Sequence, residues 1–456
     1  MLTRRWTLKD LEGAVEEGRV ETVLLAFPDL YGRLVGKRFF APFFLEAVAG
    51  GESHACDYLF TVDMEMNPVP GYAFANWETG YGDVALVPDL DRLLPVPWLE
   101  KTALVLADVR DRAGGPVELA PRRVLGRALE RAGALGFSVR VASELEFYLF
   151  ETPYREAARR GYRGLEPAGH YLEDYQLFAG ARHEPILAEA RRALALAGAE
   201  VEGSKGEWGV GQQELNLRHD EPDRAALAHL LLKDALKTLA DRRGLSVTFM
   251  AKPFAGRAGS SSHVHLSLWR EGENAFAGDE DLGPVRGSKV FGSFLAGLIR
   301  YAPDFLVFYA PTVNSYKRYE DASWAPTRLA WSFDNRTAGF RVVGQGGSLR
   351  VENRLPGADA NPYLAYAAML FSGLRGVEEG LEPPPAFTGD VYAARELPRV
   401  AYTLEEAARA FAESPLAKAA LGEAVHAHYA HFYAAEWAAF RAAVTDWERA
   451  RYFERI

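Results

Sequence analysis

The chain has 456 residues, 52 Lys plus Arg against 62 Asp plus Glu for a net charge of −10, and 48% hydrophobic and 25% charged residues; this is the make-up of a folded protein of two unequal or three domains, not of a disordered or collagen-like chain. The acidic balance repels a phosphate backbone, so no nucleic acid partner is expected, and no apolar run approaches the ~20 residues that cross a bilayer, so no membrane is expected either. A single cysteine, Cys56, excludes an internal disulfide and a thiolate zinc site; charges at the start with no apolar segment after them predict no secretory leader, and the expected compartment is cytoplasmic.

Thr7 is placed to cap a short helix carrying Leu8, Leu11 and Val15 and closed by Gly18. Two apolar-rich runs, Val20 to Phe27 and Arg33 to Phe40, flank Pro28-Asp29-Leu30-Tyr31-Gly32 and predict a hairpin. Asn67 to Pro97 is rich in Pro, Gly and aromatics, and a domain boundary is expected near residue 105, dividing the chain into 1–105 and 106–456. Helical patterns at Arg122 to Leu135, Pro222 to Arg243, Gly287 to Tyr301 and Pro362 to Gly380 then alternate with short strand-like segments, which predicts an α+β or mixed α/β fold without internal repeats. Near the end, Tyr429, Tyr433, Trp437, Phe440, Val444 and Trp447 recur at spacings of three and four, the pattern of one amphipathic helix whose aromatics pack. His426, His428 and His431 on that segment read as a solvated face rather than a metal site, and Arg155 to Arg163 as an exposed surface.

Four strand-like segments carry polar groups at every second position, and a period of two sends alternate side chains to one face. Glu144 and Glu146 oppose Leu145, Phe147 and Leu149; His263, His265 and Ser267 oppose Val264, Leu266 and Leu268. Arg350, Glu352 and Arg354 repeat the pattern, as do Gln212, Glu214 and Asn216. A half-buried antiparallel sheet with one wet face accounts for any single segment. Four together, holding carboxylates, imidazoles and guanidiniums and no lysine, point to chemistry. Carboxylates with an imidazole and no thiolate suit magnesium or manganese, and adjacent arginines suit phosphate oxygens bridging those metals. Phosphoryl transfer is the implied reaction type. The usual nucleotide loops are missing: Gly32 to Arg38 is one residue short of a Walker A spacing and lacks its Ser/Thr, and Gly344-Gln345-Gly346-Gly347 precedes a strand. The Gly/Ser loop Gly256 to Ser262 is open to either plain connection or ligand contact.

Longer strings carry a family resemblance. Ser143-Glu144-Leu145-Glu146-Phe147, Glu207-Trp208-Gly209-Val210-Gly211-Gln212-Gln213-Glu214 and Lys252-Pro253-Phe254 through His263-Val264-His265 are followed by Asn314-Ser315-Tyr316-Lys317-Arg318. Asp334-Asn335-Arg336-Thr337-Ala338-Gly339-Phe340-Arg341, Arg350-Val351-Glu352-Asn353-Arg354 and Asn361-Pro362-Tyr363 complete the series. In this order they resemble the motifs of the glutamine synthetase family, type I, over nearly the whole chain. The resemblance implies an N-terminal β-grasp domain and a C-terminal glutamine synthetase/guanido kinase-like domain with a curved antiparallel sheet. It further implies ATP, two or more Mg2+ or Mn2+ ions, and a double-ring homododecamer in which the domain of the Asp29 to Lys37 hairpin completes a neighbour's active site.

Residue by residue, the resemblance implies Glu146, Glu207 and Glu214 as ligands of one metal and Glu144, His263 and Glu352 as ligands of the other. It places Glu202, His265, Ser267, Arg341 and Arg350 on the nucleotide, Arg318 on the substrate carboxylate, Gly259 on glutamate, and Arg336 and Arg354 on the transferring phosphoryl group. Three positions depart. Ala258 stands where the family has an asparagine, and Trp324 in Ser323-Trp324-Ala325-Pro326 replaces the glutamate of the ammonium flap. The string supplying a second ammonium-site acid is missing, and Asp63 is its nearest counterpart. Complete metal and phosphate machinery with an altered nitrogen pocket resembles the γ-glutamylamine synthetase branch, which implies an ATP-dependent ligase joining glutamate, through a γ-glutamyl phosphate, to an amine. An ammonium-using glutamine synthetase is the alternative enzyme. A catalytically silent structural or regulatory relative is the alternative outside enzymes, against which the retained ligands argue.

Overall fold

Thr7 caps the first helix, Leu8–Glu16: its hydroxyl accepts the Asp10 N–H at 3.2 Å while the Asp10 carboxylate accepts the Thr7 N–H at 2.8 Å, so two otherwise orphaned donors are satisfied together. In this computed structural model, which describes residues 6–456, the predicted hairpin follows as β1 (Thr22–Pro28) and β2 (Leu34–Phe40). With β3 (Ser53–Cys56), β4 (Asp83–Pro95) and β5 (Thr102–Arg110) it forms a five-stranded sheet in the order β2-β1-β5-β4-β3, where only β1 and β5 run parallel. The boundary expected at residue 105 falls inside β5. Its buried run Thr102 to Ala107 lies between β1 and β4, so this sheet holds the chain as far as Arg110.

The second sheet holds the four alternating segments. Its strands are β6 (Ser138–Phe150), β7 (Val201–Gly206), β8 (Gln212–Leu217), β9 (Ser246–Thr248), β10 (Ser262–Arg270) and the short β11 (Glu273–Asn274). After a separate small hairpin, β12 (Glu280–Asp281) and β13 (Arg286–Gly287), come β14 (Trp331–Phe333), β15 (Phe340–Val343) and β16 (Arg350–Asn353). The order is β14-β15-β16-β10-β6-β8-β7, with β9 and β11 attached to β6 and β10. Behind it, Leu145, Phe147, Leu215 and Leu217 bury against Leu231, Leu232 and Leu236 of the helix Pro222–Arg242. Val264, Leu266 and Val351 join the larger core around the helix Pro362–Glu379, which Asn361 caps and Gly380 ends in the left-handed conformation. Among the described residues no single helix is long and apolar enough to cross a bilayer.

The C-terminal segment differs from its prediction in two ways. The helix Glu423–Ala442 stops, and Thr445 caps a new one, Asp446–Tyr452, through a closed box with Glu448; Tyr429 and Tyr433 are buried, but Val444 and Trp447 beyond the break are each 61% exposed. The local cap outcompetes continuation of the apolar stripe. Nor are the histidines a solvated face. His426 and His428 are buried, donating from Nε2 to the Phe411 and Phe60 carbonyls at 2.9 Å, and His431 donates to the Pro70 carbonyl at 2.8 Å. Each imidazole satisfies a backbone acceptor from another segment.

Arg122, on the helix Pro121–Ala134, ties the two sheets' layers together. It pairs with Asp89 of β4 at 2.5 Å, Asp108 of β5 at 2.7 Å and Asp223 at 2.8 Å, and Arg92 reaches Asp223 at 2.7 Å. Burial works to raise the pKa of Asp223, but Arg122 and Arg92 hold it below its ordinary value. Arg122→Met is therefore expected to lower stability at pH 7 by about 3 kcal/mol, since it leaves half-buried carboxylates without their cation. Because the native pKa of Asp223 is depressed, its contribution is present above the unfolded value of 3.8 and lost as pH falls through the lower native value. The gap between the urea midpoints of the two proteins is thus expected to hold from pH 7 down to about 4 and to narrow as the pH falls below 3.8; a gap that stays constant through the acid range would assign the loss to packing.

Candidate active site

Strand register turns the four segments into rows. Glu144 lies opposite His263 on β10 and Asn216 on β8, Glu146 opposite Glu214, Glu214 opposite Lys205, and Glu352 opposite both His265 and Arg341. Since alternate residues share a face, all of these side chains except that of His265 converge on one cavity of about 760 Å³. Glu202, Glu207, Gly259, Arg318, Trp324, Arg336 and Arg354 reach it from strands and loops.

Two sets of donors could hold cations. Glu144, His263 and Glu352 bring ligand atoms within 4.8 Å of one another, as do Glu146, Glu214 and His263. Oxygen and imidazole donors without thiolate suit a hard or borderline divalent ion. The electrostatics point the same way: burial and the charge of Glu207 push Glu146 up to about 8, and burial with Glu207, Glu146 and Glu144 pushes Glu214 well above the carboxylate range. A divalent cation among them removes that penalty. The partition differs from the implied one in a single member. His263 belongs to both sets, whereas Glu207, one residue beyond β7, turns its carboxylate to the Lys205 ammonium and joins neither.

Neighbours fix the donors. The Ser261 N–H and hydroxyl donate to Glu146 at 2.8 and 2.5 Å, and Gln212 Nε2 donates to Glu146 at 3.3 Å and to the Gly259 carbonyl at 2.9 Å. The Gly/Ser loop is therefore part of the site. On the other flank Glu352, fully buried, lies between Arg341 at 2.7 Å and Arg354 at 2.5 Å. Burial works to raise Glu352, but Arg354, His263 and His265 pull it down to about 2. His265 Nε2 lies 2.9 Å from the Glu144 carboxylate, and its Nδ1 accepts from Arg350 at 3.3 Å. His263 Nδ1 stands 3.3 Å from Glu144 and 3.7 Å from Glu352.

Arg318 ends a short 3-10 turn, Ser315–Arg318, that Asp359 organises by accepting from the Thr312 and Ser315 hydroxyls at 2.8 and 2.6 Å. Its guanidinium donates to the Leu355 and Arg354 carbonyls. A Cβ on Gly259 would lie 2.4 Å from Arg318 Cγ and 2.6 Å from the Ala251 carbonyl oxygen, so only glycine permits this approach. Asn314 bonds both backbone groups of Lys252 at 2.8 and 2.9 Å, joining two motif strings in space. Arg336 is exposed at the cavity wall, with no hydrogen-bond partner or ion pair among the described residues.

Trp324 stands at the cavity lip with φ +67° and 46% exposed, its carbonyl accepting from Arg354 at 3.3 Å. Its ring meets that of Trp208 edge to face, 5.7 Å between centroids. Trp208 sits inside a motif string, yet the sequence assigned it no role; Ser261 was not singled out because its partner Glu146 lies on another strand, and Lys205 because its pairing with Glu207 depends on how the chain turns at the end of β7. His265 and Arg350 stand behind Glu144 rather than on the cavity wall, and the Ser267 hydroxyl accepts from Trp269 at 2.9 Å, away from the cavity. Asp63 is outside it too, in a turn where it accepts the Asn67 N–H at 2.7 Å.

Comparison with known proteins agrees with this arrangement. The family model for the glutamine synthetase catalytic domain matches residues 118–452. The chain is 46% identical to γ-glutamylethanolamide synthetase of Streptomyces coelicolor over 98% of this chain and 96% of that protein. It is 39% identical to glutamate–isopropylamine ligase of a Pseudomonas species over 97% of both, and 34% identical to glutamine synthetase of Clostridium saccharobutylicum over 99% of both. A solved GmaS–ADP complex, 31% identical, has a TM-score of 0.84, covering 97% of this chain and 99% of that one. The chain belongs to the glutamine synthetase family.

Proposed function

We propose that this chain is an ATP-dependent ligase that phosphorylates the γ-carboxylate of glutamate and lets an organic amine displace the phosphate, giving a γ-glutamyl amide. One observation carries the reading: six carboxylate and imidazole donors face the cavity, while an indole, Trp324, occupies its lip. Ammonium is small and strongly hydrated, and its four N–H groups call for anionic oxygens; an indole offers a π face and apolar area. The names of two relatives, an ethanolamide synthetase and an isopropylamine ligase, support the same choice.

In the first step a γ-carboxylate oxygen bonds to the γ-phosphorus of ATP as the bond to the bridging oxygen breaks and ADP leaves. In the second, an amine that binds protonated first releases one proton to solvent; its nitrogen then bonds to the γ-carbon, phosphate leaves and the nitrogen gives up a second proton. Glu144, Glu146, Glu214, His263 and Glu352 would hold Mg2+ or Mn2+ ions, with Glu207 joining them if it released Lys205, and such ions would supply shielding of the phosphate charge. Arg336, free at the wall, and Arg354, whose Nε has no partner, are available to the transferring phosphoryl group. Arg318 and Gly259 are assigned to glutamate, and Glu202, His265, Ser267, Arg341 and Arg350 to the nucleotide side. Asp63 would act on a neighbouring copy, as ring assembly implies. ADP release by the purified protein with glutamate, Mg2+ and a panel of amines tests the reading; none with any amine would overturn it.

Glu352→Gln keeps the shape of a side chain wedged between two arginines and removes its charge. Loss of a residue merely supporting a ligand costs about 10- to 100-fold in metal affinity, so at least the upper part of that range is expected here, read by Mn2+ titration, with turnover lost and the fold kept. Undiminished Mn2+ affinity would remove Glu352 from the ligand set.

Arg336→Lys retains charge but not the planar fork that donates two bonds to phosphoryl oxygens. The saturated rate is expected to fall well below wild type while ATP affinity stays within a few-fold. Collapse of ATP affinity at an intact saturated rate would make Arg336 a nucleotide clamp.

Trp324→Glu exchanges the π face for a carboxylate. A cation–π attraction of ~0.5–2 kcal/mol corresponds to about 2- to 30-fold, and the ratio of kcat/KM for organic amine over ammonium is expected to move toward ammonium within that range. Efficient glutamine synthesis by the wild type, with an unmoved ratio in the variant, would reject the account.

A further inference from the structure

We infer that Trp208 is a second specificity-determining residue, and that with Trp324 it forms an indole cleft selecting an organic amine with an apolar body as the nucleophile. The inference rests on the ligase reading above and adds a residue and a substrate class to it. Trp208 belongs to the turn between β7 and β8, and its N–H donates to the carboxylate of its neighbour Glu207 at 3.2 Å. Trp324 arrives on a separate loop. The two rings meet 5.7 Å apart at 68°, an edge-to-face arrangement in which each ring restrains the other.

Burial separates this pair from ordinary packing. Trp98 and Trp331 are each 1% exposed, whereas Trp208 and Trp324 remain 49% and 46% exposed and both line the cavity. Large apolar surface left open beside a polar cavity is surface available to a ligand. The rest of this end of the lining is small: Ala258, Ser323 and Ala325 leave room beside the rings. Trp324 is held by more than its partner ring, since its left-handed backbone is unfavourable for a bulky residue and its carbonyl is tied to Arg354 at 3.3 Å. A platform fixed at such cost positions something.

The chemistry of the two sides matches a protonated primary amine. Glu207, directly before Trp208, lines the same cavity, its carboxylate accepting from the Trp208 backbone N–H and paired with Lys205. A charged amino head can face the carboxylates while its carbon body covers the rings, combining cation–π attraction with burial of apolar area at ~25 cal/mol per Å². Ammonium has no body to bury. A second indole therefore raises selectivity against ammonium beyond what Trp324 alone supplies.

The full chain with Trp208→Ala, Trp208→Phe and Trp324→Ala, and the double alanine variant, is assayed for kcat/KM with isopropylamine, ethanolamine and ammonium. Trp208→Ala is expected to lower the isopropylamine-to-ammonium ratio at least fivefold, mainly through the amine KM, and Trp208→Phe to retain it within about twofold. The double alanine variant is expected to lose less than the product of the single losses, because each ring holds the other. Should Trp208→Ala not give folded protein, Trp208→Leu, which lacks the π face, reads the same ratio. Amide formation by the wild type with an unchanged amine ratio in the Trp208 variants overturns this inference and leaves the ligase reading standing. Wild-type turnover with ammonium alone, or with no amine, overturns both.

Discussion

Carboxylates on adjacent strands of one sheet face repel one another, and the rest of the cleft is arranged around that repulsion. Glu146 and Glu214 face each other directly across β6 and β8, with Glu144 two residues along and Glu207 at the strand end. The compensation is uneven. At the β16 end the chain supplies its own cations, and Glu352 between Arg341 and Arg354 stays ionised. At the β8 end it supplies one ammonium, Lys205, which is engaged by Glu207 and lies 3.6 Å from Asp174. Glu146 is left with hydroxyl and amide donors, and both Glu146 and Glu214 have raised pKa values. The end the protein does not neutralise is the end that calls for a divalent ion.

Holding like charges together requires a sheet that cannot slip. With a side-chain period of two, a one-residue shift of β6 would send Glu144 and Glu146 into the core and Leu145 and Phe147 into the cavity. The buried face prevents it: Leu145, Phe147, Leu215, Val264 and Val351 are at most 1% exposed, and each fully buried large side chain is worth about 1.5–3 kcal/mol. The apolar half of each alternating segment therefore fixes the register that brings the polar half together.

This coupling explains what could be read from the residues alone. Glu144, Glu146, His263 and Glu352 were legible because one local rule, alternation, sets both their common face and their opposition to the core. The long helices were legible for a similar reason, and the helix Pro222–Arg242 ends one residue from its predicted limit. What escaped depends on contacts between segments. The Ser261 hydroxyl reaches Glu146 on another strand, the burial of His428 requires the distant Phe60 carbonyl, and the Trp208–Trp324 contact joins two loops. That residue 105 lies inside a strand was not legible either, because β5 pairs with β1 far earlier in the chain, a pairing that no local pattern announces.

The two classes of residue also divide the proposed chemistry. Glu144, Glu146, Glu214, His263 and Glu352 sit on strands, where substitution disturbs a row and its compensating charges; Trp208, Ala258 and Trp324 sit in connections between strands. Loop side chains at a half-exposed lip carry little of the folding free energy and can change with small consequence for stability. A fold built this way can exchange the nucleophile it accepts while the phosphoryl-transfer end stays fixed. The separation has one bridge, the bond from Arg354 to the Trp324 carbonyl. Because it joins a phosphoryl-facing guanidinium to the backbone of the lip rather than to the indole, the side chain at position 324 can vary without breaking it. The bond thus fixes the backbone of the lip relative to Arg354, and in the proposed chemistry amine choice is left to the side chains the lip presents.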